Sequence, residues 1–335
     1  MKITGFDIFT FNLPFTQPFV VKGRPISKRE GLIIRLTTED GSVGFGEISP
    51  LPGFSKESFK EARWQVVDLR LKSTLFPSVQ FGLETAVLNL LAAQRNKTSK
   101  THHIPMIGLL EGSMENVISE ARRMKKVGFQ NFKLKVGGKN IVREIEKVHR
   151  IQNILKNQGT LCLDANRSWK FKEALRFGKA LKKDSIEYIE EPFKNISTQL
   201  PRVTEFFKTT GIPVALDESL VAMNPKKFKP LKGLKAFILK PTILGGIEKT
   251  RCWIQRAKFL KIQTVISSSF ESGVGLSMLA QLAVSFDSLP VGLDTYKYFS
   301  KDLLLEPFQM DRGSFVIPSW PLKENDLDFD LLKKI

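Results

Sequence analysis

The sequence predicts a closed (β/α)8-type barrel preceded by a separate α+β unit, and three observations lead there. From about residue 104 onward, short apolar runs alternate with helical stretches: IPMIGLL, NFKLKVG, LCLDAN, IEYIEEP, PVALDES, AFILKP, TVISSS and PVGLDTY, eight in all. The runs recur at a steady interval: Lys135 to Asp164 is 29 residues, Asp164 to Glu190 26, Glu190 to Asp217 27, Asp217 to Lys240 23 and Lys240 to Ser267 27. One strand, one helix and two short loops take about that many residues, and such alternation argues for parallel βαβ units. Most runs also finish in a polar or charged residue at the strand's C-terminal end, the rim from which barrel enzymes build their active sites. An open doubly wound sheet would not gather residues from six strands around one point.

The elements follow in order. MKITGFDIFTFNLPF and EGLIIRLTTEDGSVGFGEISP read as strands, the second folded on an Asp40-Gly41 hairpin turn. SKESFKEARWQVVDLRLK and FGLETAVLNLLAAQ read as helices, so residues 1–100 form an α+β unit of their own. Residues 101–300 carry the repeat. Between its strands lie apolar stripes at helical period, such as Ile141, Ile145, Val148, Ile151 and Leu155, or Ile247, Trp253, Ile254, Ala257 and Leu260. Residues 301–335, with Pro318, Pro321 and one short strand (GSFVIP), fit neither the repeat nor an independent domain and are expected to pack back on the N-terminal unit.

Bulk composition narrows the function classes. An apolar content of 42% suits a large core. No apolar run approaches the roughly 18 residues of a membrane span, and Asp7 interrupts the only apolar region of the N-terminus, so no membrane partner is expected. Cys162 and Cys252 stand ninety positions apart with no CxxC pair, which predicts a reducing cytoplasm. His102, His103 and His149 lack metal-ligand spacing. The net charge of +18 would suit a nucleic-acid binder, but the lysines are spread along the whole chain, as in KESFKEAR and REIEKVHRIQNILK. That is the pattern of solvated helix faces, so no nucleic-acid partner is expected, and the charge serves mainly to steer small anions.

The chemistry concentrates at the rim. Lys133 and Lys135 sit two apart in a strand, so both point to one face. Lys240 ends the sixth strand, across the barrel. Between them Asp164, Glu190 and Asp217 end strands three, four and five. A lone carboxylate there would often only cap the next helix. Three at successive strand ends, without histidine or cysteine, make a hard-oxygen site suited to Mg²⁺. Buried ammonium groups and carboxylates then partner one another. A bound metal and neighbouring ammonium groups disfavour protonation of any one lysine, which fits it to act as a base near neutral pH. The implied chemistry is abstraction of a proton from carbon next to a carboxylate.

In order, KLK, DAN, IEEP, LDES and LKP resemble the lysine-flanked, muconate lactonizing enzyme-like branch of the enolase superfamily, whose sites combine a Lys or His base with Mg²⁺. GEISPLPGFSKE, LDESL, LKPTILGG, ISSSFESGVGLSMLAQLA and VGLDTY narrow the resemblance to its o-succinylbenzoate synthase family, over nearly the full length. The resemblance implies a TIM-like (β/α)7β barrel under an N-terminal α+β capping domain, whose loop around Phe15 to Arg29 closes over the substrate. It implies that Lys135 removes the proton and then helps the hydroxyl leave as water. Lys133 would support the bound carboxylate, and Lys240 would stay protonated on the opposite face. Asp164, Glu190 and Asp217 would bind Mg²⁺ (Mn²⁺ being an alternative), with Glu191 as the competing ligand, turned away before Pro192. Ser267, Ser268 and Ser269 would hold the succinyl carboxylate of a small dicarboxylate substrate. Cys162 stands two before Asp164, where some relatives carry arginine. The activity implied is a dehydratase of menaquinone biosynthesis. A racemase of N-succinylamino acids or a cycloisomerase could use the same residues, and a monomer and a homo-oligomer are equally compatible with the sequence.

Overall fold

A computed structural model describes residues 2–21, 24–68, 74–95, 102–156, 158–288, 290–317 and 320–335. The chain opens with a long antiparallel hairpin, β1 (Ile3–Val21) on β2 (Arg24–Thr38), and β2 turns into β3 (Val43–Ile48). The second turn is the expected Asp40-Gly41 hairpin: Gly41 has φ +78° and donates to the Thr38 carbonyl. Helix α1 (Phe59–Val67) begins at a capping box in which Ser58 and Glu61 satisfy each other's backbone. Residues 69–72 of the expected helix lie outside the described residues. Helix α2 (Pro77–Gln94) covers the sheet, its buried Val79, Ala86 and Leu90 packing with Ile8, Leu32, Ile34 and Ile48.

The expected loop at Phe15–Arg29 is instead made of strand ends: Phe19 pairs with Ile26 and Val21 with Arg24, after a register shift past Pro14. Beyond that shift the ladder resumes and runs to the tip, of which residues 22–23 are not described.

Strand β4 (His102–Pro105) leads into β5 (Ile107–Leu110), so the first apolar run serves two sheets. There follow α3 (Met114–Lys126), β6 (Asn131–Lys135), α4 (Ile141–Leu155), β7 (Thr160–Asp164), α5 (Phe171–Lys179), β8 (Ile186–Glu190), α6 (Pro201–Thr210) and β9 (Val214–Leu216). The next unit departs from the repeat: two short 3-10 turns, Glu218–Ala222 and Pro225–Lys227, stand in place of an α-helix, in keeping with its shorter 23-residue interval. Asn224-Pro225 and the lysine-rich stretch that follows offer no apolar helical stripe. Then come β10 (Leu234–Leu239), α7 (Pro241–Leu244), α8 (Ile247–Leu260), β11 (Gln263–Ile266) and α9 (Gly273–Phe286).

Strands β5 to β11 form one parallel seven-stranded sheet in sequence order. The eighth run joins its two edges: Val291 bridges to Met106 and Gly292 to Ser267, both in parallel sense. The sheet is thereby closed on itself. Its inward layer of Ile107, Cys162, Tyr188, Ala215, Ala236, Ile238 and Val265 fills the barrel beneath the rim. In the tail, β13 (Ser314–Ile317) pairs with β12 (Gln309–Asp311) on one side and with β4 on the other, while β14 (Lys333–Lys334) pairs with β1. Among the described residues no helix is long and apolar enough to cross a membrane.

Candidate active site

Strand register assembles the site. Lys135 lies beside Asp164 and Asp164 beside Glu190, so adjacent strands present them in one layer, with Lys133, Cys162 and Tyr188 in the layer below. On β6, Phe132 and Leu134 are fully buried against the helices while Lys133 and Lys135 face inward, as a period of two requires. Asp217 and Lys240 follow directly on β9 and β10.

The lysines and acids pair closely. Lys133 Nζ donates to Glu190 at 2.5 Å and lies 3.0 Å from Asp164. Lys135 Nζ donates to Asp164 and to Asn166 Oδ1, both at 2.7 Å. Lys240 Nζ donates to Asp217 at 2.5 Å. All three carboxylates are buried. Burial alone would lower the Lys133 pKa, but Asp164, Glu190 and Asp217 outweigh it and raise it well above the usual lysine value. Lys240 is likewise raised, burial being outweighed mainly by Asp217. Burial opposes ionisation of Asp164, yet Lys133 and Lys135 hold its carboxyl far below the ordinary range. Glu190 goes the other way, pushed up to about 8 by burial with Asp164 and Asp217 adding, although Lys133 opposes.

By donor chemistry this set fits a hard divalent cation, since Asp164, Glu190 and Asp217 offer oxygen alone. Among the described residues, no three carboxylates already stand close enough together to enclose one, and an ammonium group lies against each of these three. Glu191 has a different task. With φ +43° it turns away from Glu190 and accepts from the backbone N–H groups of Asp217 and Ser219 and from the Ser219 hydroxyl. Its carboxylate is thus engaged in holding the turn that carries Asp217.

A cavity of about 560 Å³ opens above the lysines, the size of a small-molecule site. Lys133, Lys135 and Lys240 line its floor, Ser267, Ser268 and Ser269 one wall, and Val21, Leu51 and Phe54 of the N-terminal unit reach in from the other side. Ser267 and Ser268 donate to the Gly292 carbonyl, at 3.1 and 3.2 Å. Ser269 Oγ is buried with no hydrogen-bond partner among the described residues.

Comparison with known proteins decides the family. Residues 116–321 match the family described as "Enolase C-terminal domain-like", and residues 3–90 match "MenC, N-terminal domain". The o-succinylbenzoate synthase of Pasteurella multocida is 33% identical over 88% of this chain and 89% of its own. The chain belongs to the o-succinylbenzoate synthase family of the enolase superfamily. The family member from Citrobacter koseri is 34% identical over 86% of this chain and 90% of its own. The chloroplastic protein PHYLLO of Arabidopsis thaliana is 29% identical, this chain spanning 20% of its length. Among solved structures, the N-succinyl Arg/Lys racemase of Bacillus cereus matches with a TM-score of 0.84 at 20% identity over the whole of both chains. The Mg-complexed dipeptide epimerase of Cytophaga hutchinsonii matches at 0.83 and 22%, over 100% of this chain and 99% of that one. These likenesses show the fold, and members of the o-succinylbenzoate synthase family are hydro-lyases of that fold.

Several residues beside the expected set take part in the site. Asn166 joins Lys135 to Glu218, accepting from the first and donating to the second at 3.1 Å. It belongs to the DAN motif but has no role that spacing could suggest. Asp294, the acid of GLDT, accepts from the Leu109 N–H and from Lys297, at 2.7 Å each, and lines the cavity. Cys162 sits below Asp164, and burial pushes its thiol up to about 12, which keeps it neutral.

Proposed function

We propose that the chain is a Mg²⁺-dependent dehydratase that converts 2-succinyl-6-hydroxy-2,4-cyclohexadiene-1-carboxylate to o-succinylbenzoate, as menaquinone synthesis requires. The single observation carrying this reading is the asymmetry among the lysines. All three lysines pair with buried carboxylates, but the Lys135 side chain is 31% exposed at the cavity, against 13% for Lys133 and 14% for Lys240. Lys135 is thus the lysine most open to a substrate in the cavity, as a general base must be.

Asp164, Glu190 and Asp217 would hold Mg²⁺, which would supply positive charge to stabilise negative charge developing on the substrate. Lys135 takes the proton from the carbon bearing the substrate's ring carboxylate. The same ammonium then returns the proton to the departing hydroxyl, so water leaves from one face and the ring becomes aromatic. Lys240, held cationic by Asp217, faces the intermediate from the other side of the cavity. Lys133 holds Asp164 and Glu190 in place beneath it. The unpartnered Ser269 hydroxyl and its two neighbours suit the succinyl carboxylate.

The test is to supply the cyclohexadiene acid and Mg²⁺ and watch for aromatic absorbance. Turnover that stops with excess chelator is expected, and no product, or product undiminished by chelator, overturns the reading. One observation favours a second reaction, the racemisation of N-succinylamino acids. Lys135 and Lys240 enter the cavity from the second and sixth strands, the opposed pair that exchange of a proton between two faces requires. An optical-rotation assay run in parallel separates the two.

A further inference from the structure

The eighth run leads into a 3-10 turn, Asp294–Tyr298, whose second residue, Thr295, is half-buried and lines the cavity beside Ser267 and Ser268. Asp294 pins this turn to the first strand of the parallel sheet. Its carboxylate accepts from Leu109 N and from Lys297, and the Lys297 ammonium also donates to Leu109 O at 2.8 Å. Thr295 is therefore held in place by its neighbours in the turn.

The hydroxyls of this wall outnumber the acceptor sites behind them. A carbonyl oxygen has two lone pairs, and a serine or threonine hydroxyl has one hydrogen. Three donors converge on the Gly292 carbonyl: Ser268 N at 3.0 Å, Ser267 Oγ at 3.1 Å and Ser268 Oγ at 3.2 Å. The first two fill it. Ser268 Oγ, the longest of the three, has a nearer neighbour in Thr295 Oγ1 at 2.5 Å, and either oxygen can be the donor in that contact. When the Ser268 hydrogen goes to Thr295, the Gly292 carbonyl keeps two donors. The Thr295 hydrogen then has no acceptor among the described residues, on a residue that lines the cavity.

We propose that Thr295 is a substrate-binding residue. When a carboxylate enters this end of the cavity, Ser268 turns its hydrogen from the Gly292 carbonyl to Thr295 Oγ1, and Thr295 donates its own to the carboxylate. The inference rests on the function proposed above, in which this wall takes the succinyl carboxylate. Each hydroxyl keeps one hydrogen throughout, so two bonds rotate and no proton changes owner. A hydrogen bond to an ionised acceptor is stronger than one between neutral groups, and the bond arriving from Ser268 polarises the Thr295 hydroxyl further. In the opposite order, with Thr295 donating to Ser268 and Ser268 to Gly292, the pair has no hydrogen left for a ligand. Reversal of the pair is what fits the wall to an anion.

The experiment compares wild type with Thr295→Val, Thr295→Ser and Ser268→Ala. Valine keeps the shape of threonine without the hydroxyl, and Ser268 retains the Gly292 carbonyl as its acceptor, so the Thr295→Val melt should stay near wild type. Binding of o-succinylbenzoate, and of its monomethyl ester on the succinyl arm, is measured by calorimetry, with KM and kcat taken on the cyclohexadiene acid. Wild type should prefer the diacid to the ester by about tenfold or more, because the ester removes the charge from the acceptor. Thr295→Val should bring that preference close to unity and raise KM about tenfold, with a smaller change in kcat. Thr295→Ser should restore both. Ser268→Ala leaves the Thr295 hydrogen free to reach the ligand and should lose less of the preference than Thr295→Val does. A wild type that binds both compounds alike, a Thr295→Val that keeps the preference, a Ser268→Ala loss as large or larger, or no recovery in Thr295→Ser overturns the proposal. Should Thr295→Val not fold, Thr295→Ala takes its place, and failure of both to fold makes the residue a structural one and overturns it too. Failure of the function itself reads differently: wild type then binds neither compound and forms no product, and both readings fall.

Discussion

Lys133 is the residue whose removal should be felt first in stability. Its ammonium lies between two buried carboxylates, Asp164 and Glu190, and taking one partner out of such a cluster leaves charge uncompensated. Lys133→Met is expected to lower unfolding free energy by about 3 kcal/mol or more, read from urea melts, with added Mg²⁺ recovering part of the loss. An unchanged midpoint would show that the ammonium compensates nothing. Lys135→Ala should behave oppositely: its side chain is partly exposed, so the melt should stay near wild type while turnover falls by about 10³-fold or more. A near-wild-type rate would remove Lys135 from the role of base. The acids, Lys135 and Lys240 were legible in the sequence because each ends an apolar run, and Lys133 because it stands two before such an end; strand geometry then dictates where each points. Thr295 was not legible, since its partner is the Ser268 hydroxyl 27 positions away, and no side-chain pattern advertises that contact.

Elements with a strong local signal were legible, and those shaped by neighbours were not. The stripes over Ile141–Leu155 and Ile247–Leu260 became α4 and α8 at those bounds. The segment after Asp217 was expected to hold a helix and holds 3-10 turns, pinned by Glu191 reaching across from the end of β8. A contact that depends on a residue 26 positions away leaves no periodic trace. The approach of β3 to α2 gives a prediction at this scale. Gly44 and Gly46 lie against the backbone of α2, and a Cβ at Gly46 would run into the Gly82 carbonyl oxygen. Gly46→Ala should therefore destabilise by about 1–3 kcal/mol, as overpacking does, measured as a lowered thermal midpoint. Tolerance without loss would mean that strand and helix can separate freely.

Across the whole molecule, the N-terminal sheet is tied to the chain's last residues. Asp7 on β1 meets Lys334 at 2.5 Å and Arg35 at 2.8 Å, and Arg35 also pairs with Glu324. Bonding to Lys334, then to Arg35, lowers the Asp7 pKa below its usual 3.8. A depressed carboxylate pKa means the fold favours the charged form. Its contribution is therefore complete above the unfolded value and is lost as pH falls through the folded one. Asp7→Asn should lower the melting temperature at pH 7 by about 1–2 °C, and the gap from wild type should close as pH falls through the lowered Asp7 pKa. A gap that persists in acid would assign the effect to packing instead.

The closure of the barrel carries a different kind of consequence. Its two edges meet through single bridges at Val291 and Gly292, and the Gly292 carbonyl that closes the ring also anchors the Ser267 and Ser268 hydroxyls. The seam of the barrel and the lining of the cavity are thus the same few atoms. Small changes at positions 291–295 can reshape that lining while Lys135, Asp164 and Glu190 stay untouched on the well-paired strands opposite. Under the proposed function, such a separation would let the substrate contacts change at the joint while the lysine–carboxylate set stays fixed.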